Sequence, residues 1–170
     1  MSTDTFTAPA PGSAWAGIVG QTDTPSTDRS RTVLLTPSGS LLARPLPLPL
    51  MAFDPDEGGL VEAGAVTEIT LQQTTIHAAG HFHDTGHGRF LAETAWLHAH
   101  GGVPAALQLD DVVTARAIVP VADDDDDPTV YTVVSQWRIH GILLLPYGGT
   151  FPRARIWTLP TRARDAVPSP

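Results

Sequence analysis

LVEAGAVTEITLQQTTIHAAGHF, residues 60–82, is the stretch that decides the fold class of this chain. Apolar residues recur in it among threonines and glutamines, at Val66, Ile69, Leu71 and Ile76. This composition is typical of half-buried β-strands. The stretch is long enough for two strands, and it predicts a protein built mainly of β-structure.

Short segments with strand character also precede this stretch. Residues 15–20 (WAGIVG) and 31–35 (RTVLL) combine apolar and β-branched residues, which favours strands. Residues 44–50 (RPLPLPL) contain alternating prolines, and proline removes the backbone donor that a helix needs. We therefore expect an extended segment there, with its leucines on one face.

One segment has the period of a helix rather than a strand. Over residues 88–100 the apolar residues fall on one helical face, and the glycines of residues 101–102 end the pattern. Asp84 or Thr85 is placed to cap the start of this helix. The residues of the predicted face are Phe90, Leu91, Thr94, Leu97 and His98.

Strand patterns return after the helix, over residues 105–121, 130–145 and 153–159. Five consecutive aspartates at residues 123–127 lack the alternating ligands and the glycine of a calcium loop, so we expect a solvated hairpin tip there. Many short strands with one clear helix predict an α+β, mainly β fold. We expect a small closed or partly open β-barrel with one main helix.

The size and composition of the chain indicate one compact domain. The 170 residues (18.0 kDa) are 42% hydrophobic, which is enough for one core. We expect a single domain over residues 14–160, with flexible Pro-rich or polar tails at residues 1–13 and 161–170. The chain has no cysteine, which excludes disulfides, thiolate metal sites and a cysteine nucleophile.

The charge of the chain excludes further partners. Its net charge is −8, its pI is about 5.1 and it has only ten basic residues, all of them arginine. Nucleic-acid binding depends on basic side chains that neutralise phosphates, so we expect no nucleic-acid partner. The sequence has no apolar run of bilayer length and no signal-peptide pattern at its start, so we expect a cytosolic protein with no membrane partner.

Four segments, in this order along the chain, resemble the prohead maturation protease family of tailed phages. The closing block, residues 137–156, is similar to that family in length, in its Gly and Pro positions and in its final Ala-Arg-Ile. The resemblance covers most of the chain. The other three segments are residues 15–19 together with the LPLPLM of residues 46–51, residues 79–89 (AGHFHDTGHGR) and residues 102–111 (GVPAALQLDD).

The resemblance implies a barrel like that of prohead proteases and of herpesvirus assemblin, and a serine protease mechanism. In that mechanism a serine on the strand after the helix attacks the peptide carbonyl, and a histidine on an earlier strand takes its proton. The serine position falls on Ala106, with Ala105 beside it, and the histidine is expected within residues 52–65, which contain none. A methyl group cannot act as a nucleophile.

We therefore predict a catalytically degenerate relative of these proteases that acts as a structural or assembly component of a phage capsid. The resemblance implies the major capsid protein or its scaffold as partner, association with further copies of the same chain, and no cofactor. It places the protein in the host cytoplasm during assembly or in the virion capsid. Asp84, Gly141 and Pro146 are the residues expected to shape the helix start, the closing strands and the turn after them.

Two alternatives remain open. In the first, the protein is an active protease whose nucleophile is Ser135 or Thr132 and whose base is His77, His81 or His140. Ser135 and His140 lie five residues apart on one predicted strand, so their side chains point to opposite faces unless a bulge intervenes.

The second alternative is a metal-binding module, because His77, His81 and His83 share one face of an extended segment. His87 follows in the turn, and Asp84 or Glu93 is near enough in sequence to add an oxygen ligand or to support the imidazoles. The spacing matches no standard zinc motif. The same imidazoles are also candidates for an assembly contact that responds to pH.

Overall fold

The structure, a computed structural model, describes residues 13–26, 33–35, 42–97, 102–119, 129–146 and 151–159. These residues form nine strands and one α-helix. In chain order the elements are β1 Ala14–Gln21, β2 Val33–Leu35, β3 Leu42–Ala43, β4 Leu48–Asp54, β5 Gly59–Gln72, β6 Thr75–Phe82, α1 Gly86–Leu97, β7 Val103–Val119, β8 Thr129–Leu144 and β9 Arg155–Thr158.

Seven of the strands close into a barrel, which confirms the predicted fold class. The order around the barrel is β8-β4-β5-β6-β1-β9-β7, and β7 pairs again with β8 to complete the ring. Neighbouring strands are antiparallel except β4 and β8, which are parallel. The short strands β2 and β3 pair with β8 outside the ring. Closure leaves these seven strands without a free edge in the ring.

The barrel interior is filled by large apolar side chains from every side of the ring. β6 shows the alternation that produces this, because Ile76, Ala78 and Phe82 are buried while His81 between them is exposed. Burial of one large apolar side chain contributes roughly 1.5 to 3 kcal/mol to folding. The largest fully buried side chains are Trp15, Trp137, Phe82, Leu50, Ile76, Ile139, Ile142 and Ile156.

The predicted strand pair in residues 60–82 is confirmed as the β5–β6 hairpin, which turns at Gln73 with a φ of 55°.

The proline-rich segment differs from its prediction in one respect. Leu48 and Leu50 are buried on β4, but Leu46 lies before a cis Leu46–Pro47 bond and is 45% exposed. The leucines therefore do not all share one face.

Helix α1 begins at Gly86 and is capped by Thr85, not by Asp84. Thr85 Oγ1 accepts a hydrogen bond from the backbone N–H of Gly88 at 3.1 Å, as an N-cap side chain does. The carboxylate of Asp84 instead accepts from Arg89 Nε at 2.6 Å. The reason is positional, since only the residue directly before the first helical residue can reach the free N–H groups of the first turn.

The helix packs on the barrel through its small residues. Ala92 is buried, and its carbonyl oxygen accepts a hydrogen bond from Thr158 Oγ1 on β9 at 2.8 Å. Phe90, which the sequence pattern places on one helical face with Leu91 and Leu97, is 62% exposed. The predicted continuation over residues 98–100 lies outside the described residues. No helix in the described ranges is both long and apolar enough to span a bilayer.

Ser13 differs from its prediction. The predicted flexible tail includes this residue, but Ser13 is buried and its carbonyl oxygen accepts a hydrogen bond from the backbone N–H of Phe82 at 3.0 Å. The remainder of the predicted tails, residues 1–12 and 161–170, and the aspartate run at residues 123–127 lie outside the described residues. Gly141, which we expect to shape the closing strands, lies on β8, and a Cβ there would come within 2.6 Å of Gln108 Oε1.

Candidate functional site

An apolar groove of about 670 Å³ lies between α1 and the adjoining ends of β4, β7 and β8. Its walls come from separate parts of the chain, which the barrel and the helix bring together. Thr94 and Arg155 add polar groups to a lining that is otherwise almost entirely apolar. The main apolar side chains of the lining are Phe53, Phe90, Leu91, Val103, Leu144 and Leu145.

Large apolar side chains at the groove are exposed to solvent. Phe53 on β4 is 52% exposed and Phe90 on α1 is 62% exposed. Leu60, the cross-strand partner of Phe53, extends the exposed surface and is 51% exposed. Exposed aromatic and aliphatic side chains that gather at a concave surface mark a binding site more often than scattered ones do.

Arg155 is the one charged residue among those that line this groove. Its Nη1 donates a hydrogen bond to the carbonyl oxygen of Gly102 at 3.4 Å.

Gly102 has a φ of 61°, and a Cβ there would lie 2.8 Å from the carbonyl oxygen of Ile156 and from the Trp157 ring. Only glycine fits this position, so the chain can pass close to β9 as it enters β7.

Ala106 lies on β7, two residues after Pro104, which lines the groove. Its cross-strand partner on β8 is Leu143, and Leu143 in turn pairs with Met51 on β4. Ala105 beside it is fully buried in the core. The position where the resemblance places a catalytic serine is therefore flanked on β8 and β4 by apolar residues, with neither a hydroxyl nor an imidazole opposite it.

The nucleophile and base proposed on β8 do not form a dyad. Ser135 and His140 each occupy an extra position in a β-bulge, since Val134 and Gln136 pair with successive residues of β7, as do Ile139 and Gly141. The bulges change the local side-chain direction, but five residues of strand still span about 16 Å. A hydrogen bond between the two side chains would need contact at about 3 Å.

The other proposed groups lie on opposite sides of the barrel. Thr132 and Ser135 are on β8, whereas His77 and His81 are on β6. Around the ring, β6 is three strands from β8 by way of β4 and β5, and four by way of β7, β9 and β1. Three strand spacings correspond to about 14 Å. The structure therefore brings no proposed nucleophile together with a proposed base.

The histidines of β6 have separate partners. His77 Nε2 lies 2.9 Å from Thr75 Oγ1, and that hydroxyl donates to the carbonyl oxygen of Gln72 at 2.9 Å. The hydroxyl proton is thus committed to the backbone, and the imidazole serves as donor to the hydroxyl oxygen. His77 consequently does not act as a base towards Thr75 in this arrangement.

His83 and His81 form a neighbouring pair. Their ring centroids lie 5.9 Å apart in an edge arrangement, and His83 Nε2 lies 2.9 Å from Glu62 Oε1. Within the described ranges no three His, Asp or Glu side chains are grouped closely enough to hold a metal ion. The face-sharing of His77, His81 and His83 along the strand therefore does not produce a ligand set there.

The structure also contains an aspartate-histidine pair that the sequence did not predict. His87 Nδ1, in the first turn of α1, lies 3.1 Å from Asp54 Oδ2 at the end of β4. The side chains are 25% and 16% exposed. Asp54 Oδ1 also accepts the backbone N–H of Asp56 at 2.8 Å, so the carboxylate is fixed at both oxygens. No local sequence motif joins these two positions, since only the packing of α1 against β4 brings them together.

The Asp54–His87 pair resembles the aspartate and histidine of a catalytic triad, but it has no nucleophile beside it among the described residues. A carboxylate on Nδ1 leaves Nε2 available to a hydroxyl, as in serine hydrolases. Among the side chains that the structure describes, no hydroxyl is hydrogen-bonded to His87. The pair joins the helix start to the β4–β5 hairpin, and Asp54 directly follows Phe53, which lines the groove.

Comparison with protein-family models, with curated protein sequences and with solved structures finds no match for this chain.

Proposed function

We propose that this protein is a catalytically inactive relative of prohead maturation proteases and serves as a structural or assembly component of a phage capsid. Its partner is the major capsid protein or the scaffold. The observation that supports the proposal is on β7. The resemblance places a nucleophilic serine at residue 106, but residues 105 and 106 are both alanine and carry only a methyl group.

The architecture supports this proposal in two respects. The chain folds as a closed seven-strand barrel with one helix, which is the type of fold that the resemblance implies. The helix directly precedes β7 in the chain, so Ala106 occupies the strand after the helix, as the serine does in the active family. These points concern the arrangement of elements, and the resemblance of the four sequence segments is the link to capsids.

The geometry favours an inactive protein over an active protease. An unassisted serine or threonine hydroxyl is too weakly acidic to attack a peptide bond at neutral pH, so a nearby base is required. His140 lies on β8 three residues from Leu143, the partner of Ala106, which is about 10 Å along the strand. His77 and His81 are further away, on β6.

Co-expression with the neighbouring capsid gene tests the proposal. We expect an unprocessed capsid protein by intact-mass analysis and co-purification of this chain with it in a fixed ratio, either as a complex or in particles. The matched control is the capsid protein expressed alone. A defined truncation of the capsid protein that depends on this chain would show that it is a protease, and failure of the two proteins to associate would remove the assembly role.

A further inference from the structure

We propose that a small polar depression on the outer face of β5, β6 and β1 binds a guanidinium group, which a partner protein presents as an arginine side chain. Glu68 supplies a carboxylate to this depression, and Thr70 and His77 supply two further acceptors. That the arginine belongs to an assembly partner rests on the proposed function, whereas the chemistry of the site follows from its own residues.

The first step of the argument is the shape of the depression. Its volume is about 160 Å³, and its lining includes four small residues, Ala16 and Gly17 on β1 and Ala78 and Ala79 on β6. Because these residues are short, the longer polar side chains of β5 and β6 around them form the walls. The volume is below the roughly 300 to 1,000 Å³ of sites for drug-sized ligands. The depression is therefore suited to one small group.

The second step is the unused hydrogen-bonding capacity of Glu68 and Thr70. Neither side chain makes a hydrogen bond or an ion pair in the part of the chain that the structure describes. Glu68 is exposed, and its ionised carboxylate acts only as an acceptor. The charge of Glu68 is thus available to a cationic ligand.

His77 adds an acceptor whose tautomer is set by its neighbours. Its Nε2 donates to Thr75 Oγ1 at 2.9 Å, because the Thr75 hydroxyl proton is already used by the carbonyl oxygen of Gln72. In the neutral imidazole the other ring nitrogen, Nδ1, then carries the lone pair. Thr70 is the cross-strand partner of His77, and side chains paired in this way lie about 5 Å apart. A hydroxyl and an imidazole acceptor therefore lie side by side in the depression.

The third step concerns the kind of cation. Glu68 lies two residues from Thr70 on the same face of β5, which corresponds to about 7 Å. A planar guanidinium directs five N–H donors outward, so it can bridge acceptors at this spacing, whereas an ammonium concentrates three donors on one nitrogen. The net charge of −8 favours a basic partner over a second copy of this chain. The acceptors and the charge together fit an arginine side chain of a different protein.

An NMR titration of the full chain with two capped amino acids at constant ionic strength tests the proposal. The probes are N-acetyl-arginine amide and N-acetyl-citrulline amide, whose side chain has the same length and a planar N–H group but no charge. We expect saturable shifts of the amide signals of Thr70, His77 and Ala79 with the arginine probe. The citrulline probe should bind about tenfold more weakly, because the charge-assisted hydrogen bonds are lost.

A pair of variants isolates the carboxylate. Glu68→Gln should weaken binding of the arginine probe about tenfold. The matched control, Glu57→Gln, removes the same charge in the turn between β4 and β5, outside the depression, and should leave binding unchanged.

Several results would overturn the proposal, and the first three need only the unmodified chain. These are the absence of saturable binding, equal affinity for the arginine and citrulline probes, and equal or tighter binding of N-acetyl-lysine amide. Unchanged binding in Glu68→Gln is the fourth. The titration contains no capsid protein, so its failure is distinguishable from a failure of the two proteins to associate in the co-expression experiment.

Discussion

Thr158 joins the barrel to the helix through one buried hydrogen bond. Its hydroxyl donates to the carbonyl oxygen of Ala92 at 2.8 Å, and both residues are buried. A hydrogen bond shielded from water in this way contributes about 1 kcal/mol to stability. This one side chain therefore helps to fix the position of α1 against β9.

Thr158→Val should lower the free energy of unfolding by about 1 kcal/mol, because it keeps the shape of the side chain and removes only the hydroxyl. Urea unfolding followed by circular dichroism measures this, with an unchanged denaturant dependence as evidence that the folded state is intact. The matched control is Thr70→Val on β5, whose hydroxyl makes no hydrogen bond within the described residues. Equal losses in the two variants would contradict the role of the Thr158 hydroxyl.

Individual residues also show where inference from sequence stops. That residue 106 is alanine and that residues 52–65 contain no histidine could be seen in the sequence, because an absent functional group needs no structure to be recognised. The Asp54–His87 pair was not visible, because its two members are brought together only by the packing of α1 against the end of β4. The type of a side chain limits the chemistry that it can perform, and the residues around it determine whether that chemistry takes place.

At the level of elements, the first turn of α1 contains two glycines with opposite surroundings, and the placement of the helix depends on one of them. A Cβ on Gly88 would lie 2.2 Å from the carbonyl oxygen of His83 and 2.9 Å from that of Ala63. A Cβ on Gly86 would meet nothing within 4 Å. The first turn of the helix therefore rests directly on the barrel backbone at Gly88.

Gly88→Ala should destabilise the protein by about 2 kcal/mol, although alanine is the better helix former, because backbone atoms must move to admit the methyl group. Gly86→Ala should stabilise it by about 0.5 kcal/mol, since the unfolded chain loses freedom and nothing is displaced. Thermal or urea unfolding of both variants gives the comparison. A stabilised Gly88→Ala protein would show that the helix does not lie against this backbone.

The groove is also a property of elements rather than of any one segment. Phe53, Phe90 and Arg155 belong to β4, α1 and β9, and no local sequence pattern places them at a common site. The helical period groups Phe90 with Leu91 and Leu97 on one face, but it does not show which face of the helix turns inward. The contact of Ala92 with β9 decides that question and leaves Phe90 at the groove.

On the scale of the whole molecule, barrel closure separates the chemical groups that an active protease would have to unite. β8 pairs with β7 along one edge and with β2, β3 and β4 in succession along the other. The histidine-bearing strand β6 lies across the ring from β8. A nucleophile introduced at Ala106 on β7 would therefore supply only one part of a catalytic site.

Ala106→Ser should remain inactive. The new hydroxyl would face Leu143 on the neighbouring strand, with no described imidazole within hydrogen-bond reach to accept its proton. Incubation with a fluorophosphonate probe, followed by intact-mass analysis, measures the reactivity of the hydroxyl directly and needs no known substrate. The unsubstituted chain is the control. Modification at position 106 would reveal a base within reach and would favour an ancestral active site that is still assembled.

The sequence by itself determined the fold class, because strand and helix periods are local and turn residues mark their limits. The β5–β6 hairpin in residues 60–82 and a helix before residue 103 both follow from such patterns. That residue 106 is alanine and that residues 52–65 lack a histidine was likewise a matter of sequence. Only the tertiary structure decided that the barrel closes, that Thr85 caps the helix and that Phe53, Phe90 and Arg155 share a groove. Those outcomes depend on contacts between residues distant in the chain, and no local pattern encodes which distant surfaces will meet.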